Sequence, residues 1–460
     1  MLVILGFLMV AAFMFLILTK RATPVVALIL VPVIFGLFAG AGLGIGDMIT
    51  DGIKSLAPTA ALLFFAIIFF GIMIDVGLFD PLVRGILRLV RNDPMRLVVG
   101  TAVLAMVVSL DGDGSTTFII VTSALLPLYL KLGVSPVILT VVAGLANGTM
   151  NIIPWGGPTV RAASALGISP SEVFVPMVPS LVAGLVIVLL FSVHLGLMER
   201  RRLGSLVFDQ EMVSVGGGGS DTARPARRTG GGAGGDADGG AGQFIYGLDP
   251  QRDTLRPRLL WFNAALTVAL LVVLVMDILP IPVLFMIAAS IALTVNFPKV
   301  KEQGEAIARH SASIVSVVAM VLAAAVLTGV FSGTGMVEAM AEWLLGVIPS
   351  SMGPFLAVIT GVLSIPLTFF MTNDAFYFGI LPVLTETAAQ YGIEPVEMAR
   401  ASITGQPVHL QSPLVPAILL LVTLAGVSLA DHHKKVLWRA TVVSLAMLAV
   451  GVLLGQIPMG

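Results

Sequence analysis

Long apolar runs separated by short polar or glycine- and proline-rich breaks organise the chain. They lie at about 2–18, 24–42, 57–79, 95–109, 115–130, 135–153, 173–196, 258–276, 279–297, 311–333, 352–370, 375–391, 396–427 and 436–455. A spanning helix needs roughly 20 mostly apolar residues to cross about 30 Å of hydrocarbon. Many of these runs therefore predict membrane helices, and several are too short to cross. Between Glu199 and Arg258 the pattern stops, and glycine-rich stretches such as Gly216–Gly219 alternate with Arg and Asp. That composition predicts a flexible tether. The expected division is 1–198, a first membrane repeat; 199–257, a Gly-rich cytoplasmic linker; and 258–460, a second membrane repeat.

Composition narrows the function classes. The chain is 57% hydrophobic and 11% charged, against roughly 25% charged in soluble domains, so a multi-pass protein of the cell membrane is expected. The net charge of -1 and the confinement of basic residues to loops give no reason to expect a nucleic-acid partner. With no cysteine, disulfides, thiolate metal sites and cysteine nucleophiles are excluded. The first run, Leu2 to Leu18, has no basic region before it and no small-residue cleavage site after it, and reads as a retained helix. Neither a Walker A motif, a Gly-x-Ser-x-Gly elbow nor a His-Glu-x-x-His helix occurs, so an enzyme is not expected and coupling to an ion gradient remains.

The two halves correspond. Gly77-Leu78-Phe79-Asp80 recurs as Gly335-Met336-Val337-Glu338, and Leu126-Pro127 with Gly133 and Pro136 recurs as Leu381-Pro382 with Gly392 and Pro395. Lys20-Arg21, Arg84 to Arg96, Arg200 to Arg202 and Lys434-Lys435 mark cytoplasmic loops under the positive-inside rule, which leaves both chain ends outside. The loop Asp47 to Lys54 then falls outside and its counterpart Lys299 to Arg309 inside. A unit duplicated in opposite orientations is the architecture of many secondary transporters. The expected fold is thus an all-α polytopic membrane protein of two inverted-topology repeats, with re-entrant hairpins and discontinuous helices.

Four polar interruptions carry the chemistry. Leu110-Asp111-Gly112-Asp113-Gly114-Ser115-Thr116-Thr117 sets two carboxylates between apolar runs, where a charge costs several kcal/mol unless paired, protonated or hydrated. Its glycines predict the tip of a re-entrant hairpin, and Ser115, Thr116 and Thr117 a helix start able to hold an anion. Met371-Thr372-Asn373-Asp374 stands at the equivalent place in the second half, with Asp374 as a candidate helix cap. Downstream, Asn147 to Thr159 and Gly405 to Pro413 carry prolines and glycines at a density that breaks a membrane helix and frees backbone groups beside a cavity. The candidate substrate-binding residues are Ser115, Thr116, Thr117, Asn147, Asn151, Gly156, Gly157, Thr159, Arg161, Thr372, Asn373, Gln406, His409, Gln411 and Ser412. Asp111, Asp113 and Asp374 are the candidates for metal ligation or proton coupling. Trp155 fits a packing residue or a substrate wall, His432 and His433 read as cytoplasmic loop, and His194 and His310 lie near helix ends without metal-site spacing.

These residues give the chain a resemblance to the metal-citrate:proton symporter family (CitMHS) of the ion transporter superfamily. Thr19-Lys20-Arg21, Asp51-Gly52-Ile53-Lys54, Leu110 to Thr117 and Asn151 to Arg161 with its Pro154-Trp155-Gly156-Gly157-Pro158 core carry it. The resemblance implies a homodimer whose protomers combine a scaffold with a transport domain holding both hairpins, and an elevator motion of that domain. It also implies import of citrate complexed with a metal cation, Mg2+, Ca2+ or Fe3+, carried as substrate with no permanently bound cofactor. Superfamily tips carry Ser-Asn-Thr signatures; Gly114-Ser115-Thr116 and Met371-Thr372-Asn373 stand in their places here, which favours protons over sodium. A chelate also suits the solvent physically, because a divalent cation neutralises most of citrate's charge of about -3 before it enters a low-dielectric site. Two alternatives stay open: a proton- or sodium-coupled carrier for another di- or tricarboxylate or anion, and an intramembrane aspartyl protease with Asp113 and Asp374 as its dyad.

Overall fold

The computed structural model describes residues 1–19, 21–90, 93–214, 252–276 and 278–460. Among these residues the chain is all helical, and eight helices are long and apolar enough to cross a membrane. The helices of the first half are α1 (Leu2–Leu18), α2 (Pro24–Phe38), α3 (Ile45–Asp75), α4 (Asp80–Val90), α5 (Pro94–Val108), α6 (Gly114–Lys131), α7 (Pro136–Met150), α8 (Gly157–Leu166), α9 (Pro170–Phe174) and α10 (Val178–Ser214). The second half supplies α11 (Leu260–Val275), α12 (Ile281–Asn296), α13 (Val300–Arg309), α14 (Ser311–Gly333), α15 (Met336–Val347) and α16 (Leu356–Phe370). After a π-helical turn at Ala375–Ile380 come α17 (Leu381–Ala389), α18 (Pro395–Ser402), α19 (Gln406–His409), α20 (Pro416–Leu424) and α21 (Leu429–Leu453).

Local chemistry places the boundaries. Pro24, Pro94, Pro136, Pro170 and Pro395 each sit in the first turn of a helix, where the missing N–H has no intrahelical partner to lose. Left-handed glycines punctuate the two halves in step: Gly77 recurs as Gly335, Gly133 as Gly392 and Gly167 as Gly426, all with positive φ. The repeat legible in residue types is therefore also a repeat of backbone conformation.

The repeats run in opposite directions. Equivalent helices α3 and α14 pack antiparallel: a Cβ at Gly52 would meet the Ala325 carbonyl oxygen at 2.2 Å, while one at Gly71 would meet the His310 ring at 2.6 Å. The start of each helix thus lies on the end of the other. The broken helices cross at mid-length, where a Cβ at Gly148 would meet Cα of Pro407, its counterpart in the other half, at 3.1 Å. Packing sorts the helices into two bodies. A scaffold is built on α1–α3 and α12–α15; the other body holds both hairpins, both broken helices, α10 and α21. Contacts made by helices near the membrane surfaces respect the basic-loop topology: Glu199 accepts from Ser135 N, Arg202 donates to the Gly133 carbonyl, and Arg400 donates to the Glu172 carbonyl.

Several sequence expectations change in detail. The helix expected to end near 196 continues as α10 to Ser214, and the glycine-rich part of the linker lies outside the described residues. Arg252 and Thr254, on its far side, bind the carbonyl of Asp75 at the end of α3. His432 and His433 are not loop residues. They lie in α21, where His432 is fully buried between Thr140 and Gln411, because α21 begins a turn before the first run of unbroken apolar residues.

The α3–α14 crossing has no room for side chains, so Gly329→Val, whose Cβ would stand 2.3 Å from the Met48 carbonyl oxygen, is expected to destabilise the fold by ~3 kcal/mol or more. A lower melting temperature in detergent, with loss of the monodisperse peak on size exclusion, is the measurement.

Candidate functional site

At the first hairpin tip, α5 ends in a single 3-10 turn, Ser109–Asp111, and Gly112 reverses the chain at φ +81. A Cβ at Gly112 would stand 2.9 Å from the Trp155 ring, so the turn needs glycine for both its conformation and its space. Trp155 Nε1 donates to the Leu110 carbonyl at 2.8 Å, fastening the tip to the break between α7 and α8. The tip is therefore held at the level of that break, inside the membrane layer. A helix of 15 residues such as α5 or α7 rises only ~22 Å.

Asp113 caps α6. Its carboxylate accepts from Ser115 N at 3.2 Å, Thr116 N at 2.9 Å and Thr116 Oγ1 at 2.6 Å. The helix start expected to offer its N–H groups to a ligand thus gives two of them to the protein's own carboxylate. Asp111 Oδ1 accepts from Asp113 N at 2.9 Å. Thr117 is buried against Ser109, whose hydroxyl also receives Asn147 Nδ2 at 2.8 Å.

The second tip is braced in a parallel way. Gln406 stands at the position in its broken helix that Asn147 occupies in the other, and each amide reaches the hairpin tip of its own half. Gln406 Nε2 donates to Asn373 Oδ1 at 3.2 Å and to Tyr377 Oη at 2.9 Å, while Asn151 Nδ2 approaches Gln406 Oε1 at 3.4 Å across the repeat boundary. Thr372, rather than Asp374, caps the helix, accepting from Ala375 N at 3.2 Å. Asp374 instead receives Arg161 Nε at 2.6 Å, an ion pair from the second hairpin to the first broken helix. Arg161 also donates to the Gly157 carbonyl.

Other expected site residues brace the breaks. Thr159 Oγ1 donates to the Ile152 carbonyl, and Gly156 has room for no Cβ because the Asn151 carbonyl oxygen would lie 2.2 Å from it. His409 Nδ1 lies 2.5 Å from the Thr368 carbonyl oxygen, Ser412 Oγ donates to that of Phe369, and Gln411 Nε2 to those of Gly144 and Pro407. Apart from the Gly144 carbonyl, which lies inside α7, these are carbonyls at the ends of broken or short helices, where no intrahelical N–H follows.

A cavity of about 510 Å³ lies between the two bodies. Asp111, Asp113, Ser115, Thr116, Gly157 and Arg161 line it on the hairpin side; Asn147, Asn151, Thr159, Thr372, Asn373, Asp374, Gln406, His409, Gln411 and Ser412 are not among its lining residues. The scaffold supplies α3 and α14, with Asp75, His310, Ser313 and Ser316 as the polar groups. Trp155 bridges the bodies, 5.2 Å from Phe70 and 5.0 Å from Phe285 between ring centroids. Among the described residues no three His, Asp or Glu side chains converge tightly enough to hold a metal ion.

The pattern of the CitMHS citrate-transporter family matches residues 13–405. The chain belongs to this family. A Bacillus subtilis citrate transporter is 47% identical over 99% of this chain and 100% of its own length. A B. subtilis Mg(2+)/citrate complex secondary transporter is 46% identical, covering 99% of both chains. Among solved structures, the Alcanivorax borkumensis YdaH transporter, crystallised and described as having an unusual topology, superposes with a TM-score of 0.57 at 12% identity. That match covers 90% of this chain and 88% of the other, and shows a shared fold.

This CitMHS member is accordingly a transporter and not an enzyme. The aspartyl dyad has no geometric basis either, since Asp374 is bound to Arg161 and Asp113 caps its own helix. The polar scaffold residues were not recognised from sequence: Asp75 ends an unbroken apolar run, and His310 has no motif around it. The one available signal was an acid at the membrane end of a long apolar helix, which by default marks a functional position.

Arg161→Ala leaves the Asp374 carboxylate buried without its partner. It is expected to destabilise more than Arg161→Ala combined with Asp374→Ala, with a coupling of roughly 1–3 kcal/mol. Thermal melts of the two single variants and the double variant measure it; additive effects would show the pair to be energetically silent.

Proposed function

We propose that the chain imports citrate as a complex with a metal cation, in symport with protons, by an elevator motion of the hairpin-bearing body against the scaffold. The observation that carries this reading is the largely apolar cavity between two bodies built from inverted repeats, with Asp111, Ser115 and Arg161 on one wall and His310, Ser313 and Ser316 on the other. A ligand held by the hairpin wall is enclosed by the scaffold on its other side, and sliding one body past the other moves the site across the bilayer without opening a continuous pore. The complex is the more transportable form, since a divalent cation leaves citrate with a net charge near -1. The name of the B. subtilis Mg(2+)/citrate relative agrees with it.

In this reading Asp111 faces the cation or carries the coupling proton. Asp113, which also lines the cavity, shapes the helix start, and Ser115 and Arg161 meet free citrate oxygens. Asp374 is the counter-charge that Arg161 exchanges for a citrate carboxylate; a proton on Asp374 would favour that exchange, which ties proton and substrate to one event. The remaining candidates, Thr116, Thr117, Asn147, Asn151, Gly156, Gly157, Thr159, Thr372, Asn373, Gln406, His409, Gln411 and Ser412, hold the broken helices in register around this centre. A homodimer in the plasma membrane, joined through the scaffold, completes the proposal.

Uptake of labelled citrate into vesicles, with and without Mg2+, Ca2+ or Fe3+, tests the substrate. Cation-dependent uptake is expected; free dicarboxylate uptake with no citrate uptake under any cation would refute the chelate. An imposed pH gradient in sodium-free buffer is expected to drive accumulation, and indifference to it would exclude proton symport. Asp111→Asn and Asp113→Asn are each expected to lower uptake at least tenfold with normal membrane insertion, the size of effect that loss of a charged hydrogen bond produces. Wild-type rates in both inserted variants would remove these side chains from the site.

A further inference from the structure

The donors on the hairpin wall are largely committed. Arg161 is engaged by Asp374, and the N–H groups of Ser115 and Thr116 by Asp113, so the cavity's hairpin side offers a polyanion few open hydrogen bonds. The opposite wall differs. His310 precedes α14, and Ser313 and Ser316 follow at three-residue intervals on the part of the helix that lines the cavity. Both serines are exposed, and among the described residues their hydroxyls bond nothing. Thr328, further along α14, and Thr334, just past its end, instead turn back onto carbonyls of that helix, the usual resort of a hydroxyl in a membrane segment.

The imidazole beside them is held in a made seat. Its ring lies against Gly71, where a Cβ would collide with it, and Nε2 is 3.2 Å from Asp75 Oδ2. The same carboxylate oxygen accepts from Arg309 Nε at 3.1 Å, and the Asp75 carbonyl is fixed by Arg252 and Thr254. His310 Nδ1 has no hydrogen-bond partner among the described residues, and Arg309 Nη2 is buried without one.

We propose that His310, Ser313 and Ser316 form a carboxylate-binding station on the scaffold, which takes one carboxylate arm of the substrate across the cavity from Arg161. Protonated, the imidazole presents Nδ1–H to the arm while Asp75 holds Nε2–H. Asp75 and Arg309 are positioning residues that fix the ring. The station rests on the reading of the chain as a carrier of a polycarboxylate, and it accounts for open donors on a wall that a passive frame would leave apolar. It lies toward the end of the cavity marked by Asp75 and His310, the side that the basic loops assign to the cytoplasm. An arm released from Arg161 therefore meets these donors on its way out.

The test is exchange of Mg2+-citrate in proteoliposomes holding the full chain, with KM measured on each face while the other is saturated. His310→Gln and the double variant Ser313→Ala/Ser316→Ala are each expected to raise KM about tenfold on the cytoplasmic face, and far less on the outer face, with the maximal rate retained. KM values unchanged on both faces, or raised equally on both, overturn the station. A general packing defect lowers the maximal rate from both sides instead and likewise counts against it. Should His310→Gln fail to insert, the serine variant decides by itself. Wild-type protein that exchanges no citrate with any cation refutes the function reading and the station with it; wild-type exchange alongside unaltered variants refutes the station alone.

Discussion

The structure depends on the requirement that backbone polar groups freed inside a membrane be satisfied by the protein itself. Two helices break and two hairpins turn within the bilayer, and every break exposes carbonyls and N–H groups that lipid cannot serve. The residues that repair this are the polar ones the chain carries in mid-membrane: Trp155 on Leu110, Thr159 on Ile152, His409 on Thr368, Ser412 on Phe369 and Gln411 on two carbonyls. An unmet amide group in such surroundings costs on the order of several kcal/mol. The breaks therefore persist only because each is closed by a named side chain, and a ligand site exists only where some donors are left over.

The inverted repeat turns that local repair into a symmetric device. Asn147 and Gln406 hold equivalent places on the two broken helices and brace the tips of their own hairpins, and the helices themselves cross at Gly148 and Pro407. Among the contacts that cross the halves, Asn151 reaches Gln406, Arg161 binds Asp374 and Gln411 donates to the Gly144 carbonyl. The body that holds the hairpins is thereby made one unit, which is the mechanical condition for moving a site intact. Its contact with the scaffold is of another kind: aromatic rings around Trp155 and the apolar faces of α3 and α14, with few directional bonds to break. Apolar contact slides at lower cost than a hydrogen-bonded interface, because no polar group is stranded part-way.

Polar residues in a membrane segment thus divide into braces and open donors. Thr159, Gln411 and Ser412 look in sequence as suitable for a ligand as Ser115, but their hydroxyls and amides are spent on carbonyls. Ser313 and Ser316 look like ordinary small residues of an apolar helix and keep their hydroxyls free. Residue type alone does not separate the two groups; whether the side chain is turned onto a carbonyl does.

The sequence by itself determined the solvent, the repeat and the places where helices stop. Apolar run length, prolines and glycines at fixed spacing, and basic loops act locally along the chain, so the tips at Asp111 to Asp113 and Thr372 to Asp374 and the break at Pro154 to Pro158 were legible from it. Only the tertiary structure decided how each polar group is used. Arg161 finds Asp374, His432 sinks between Thr140 and Gln411, and Asp75 meets His310, residues brought together from distant parts of the chain. A hydrogen bond is made or left open according to which group three-dimensional packing sets within about 3 Å, and no spacing along the chain encodes that distance.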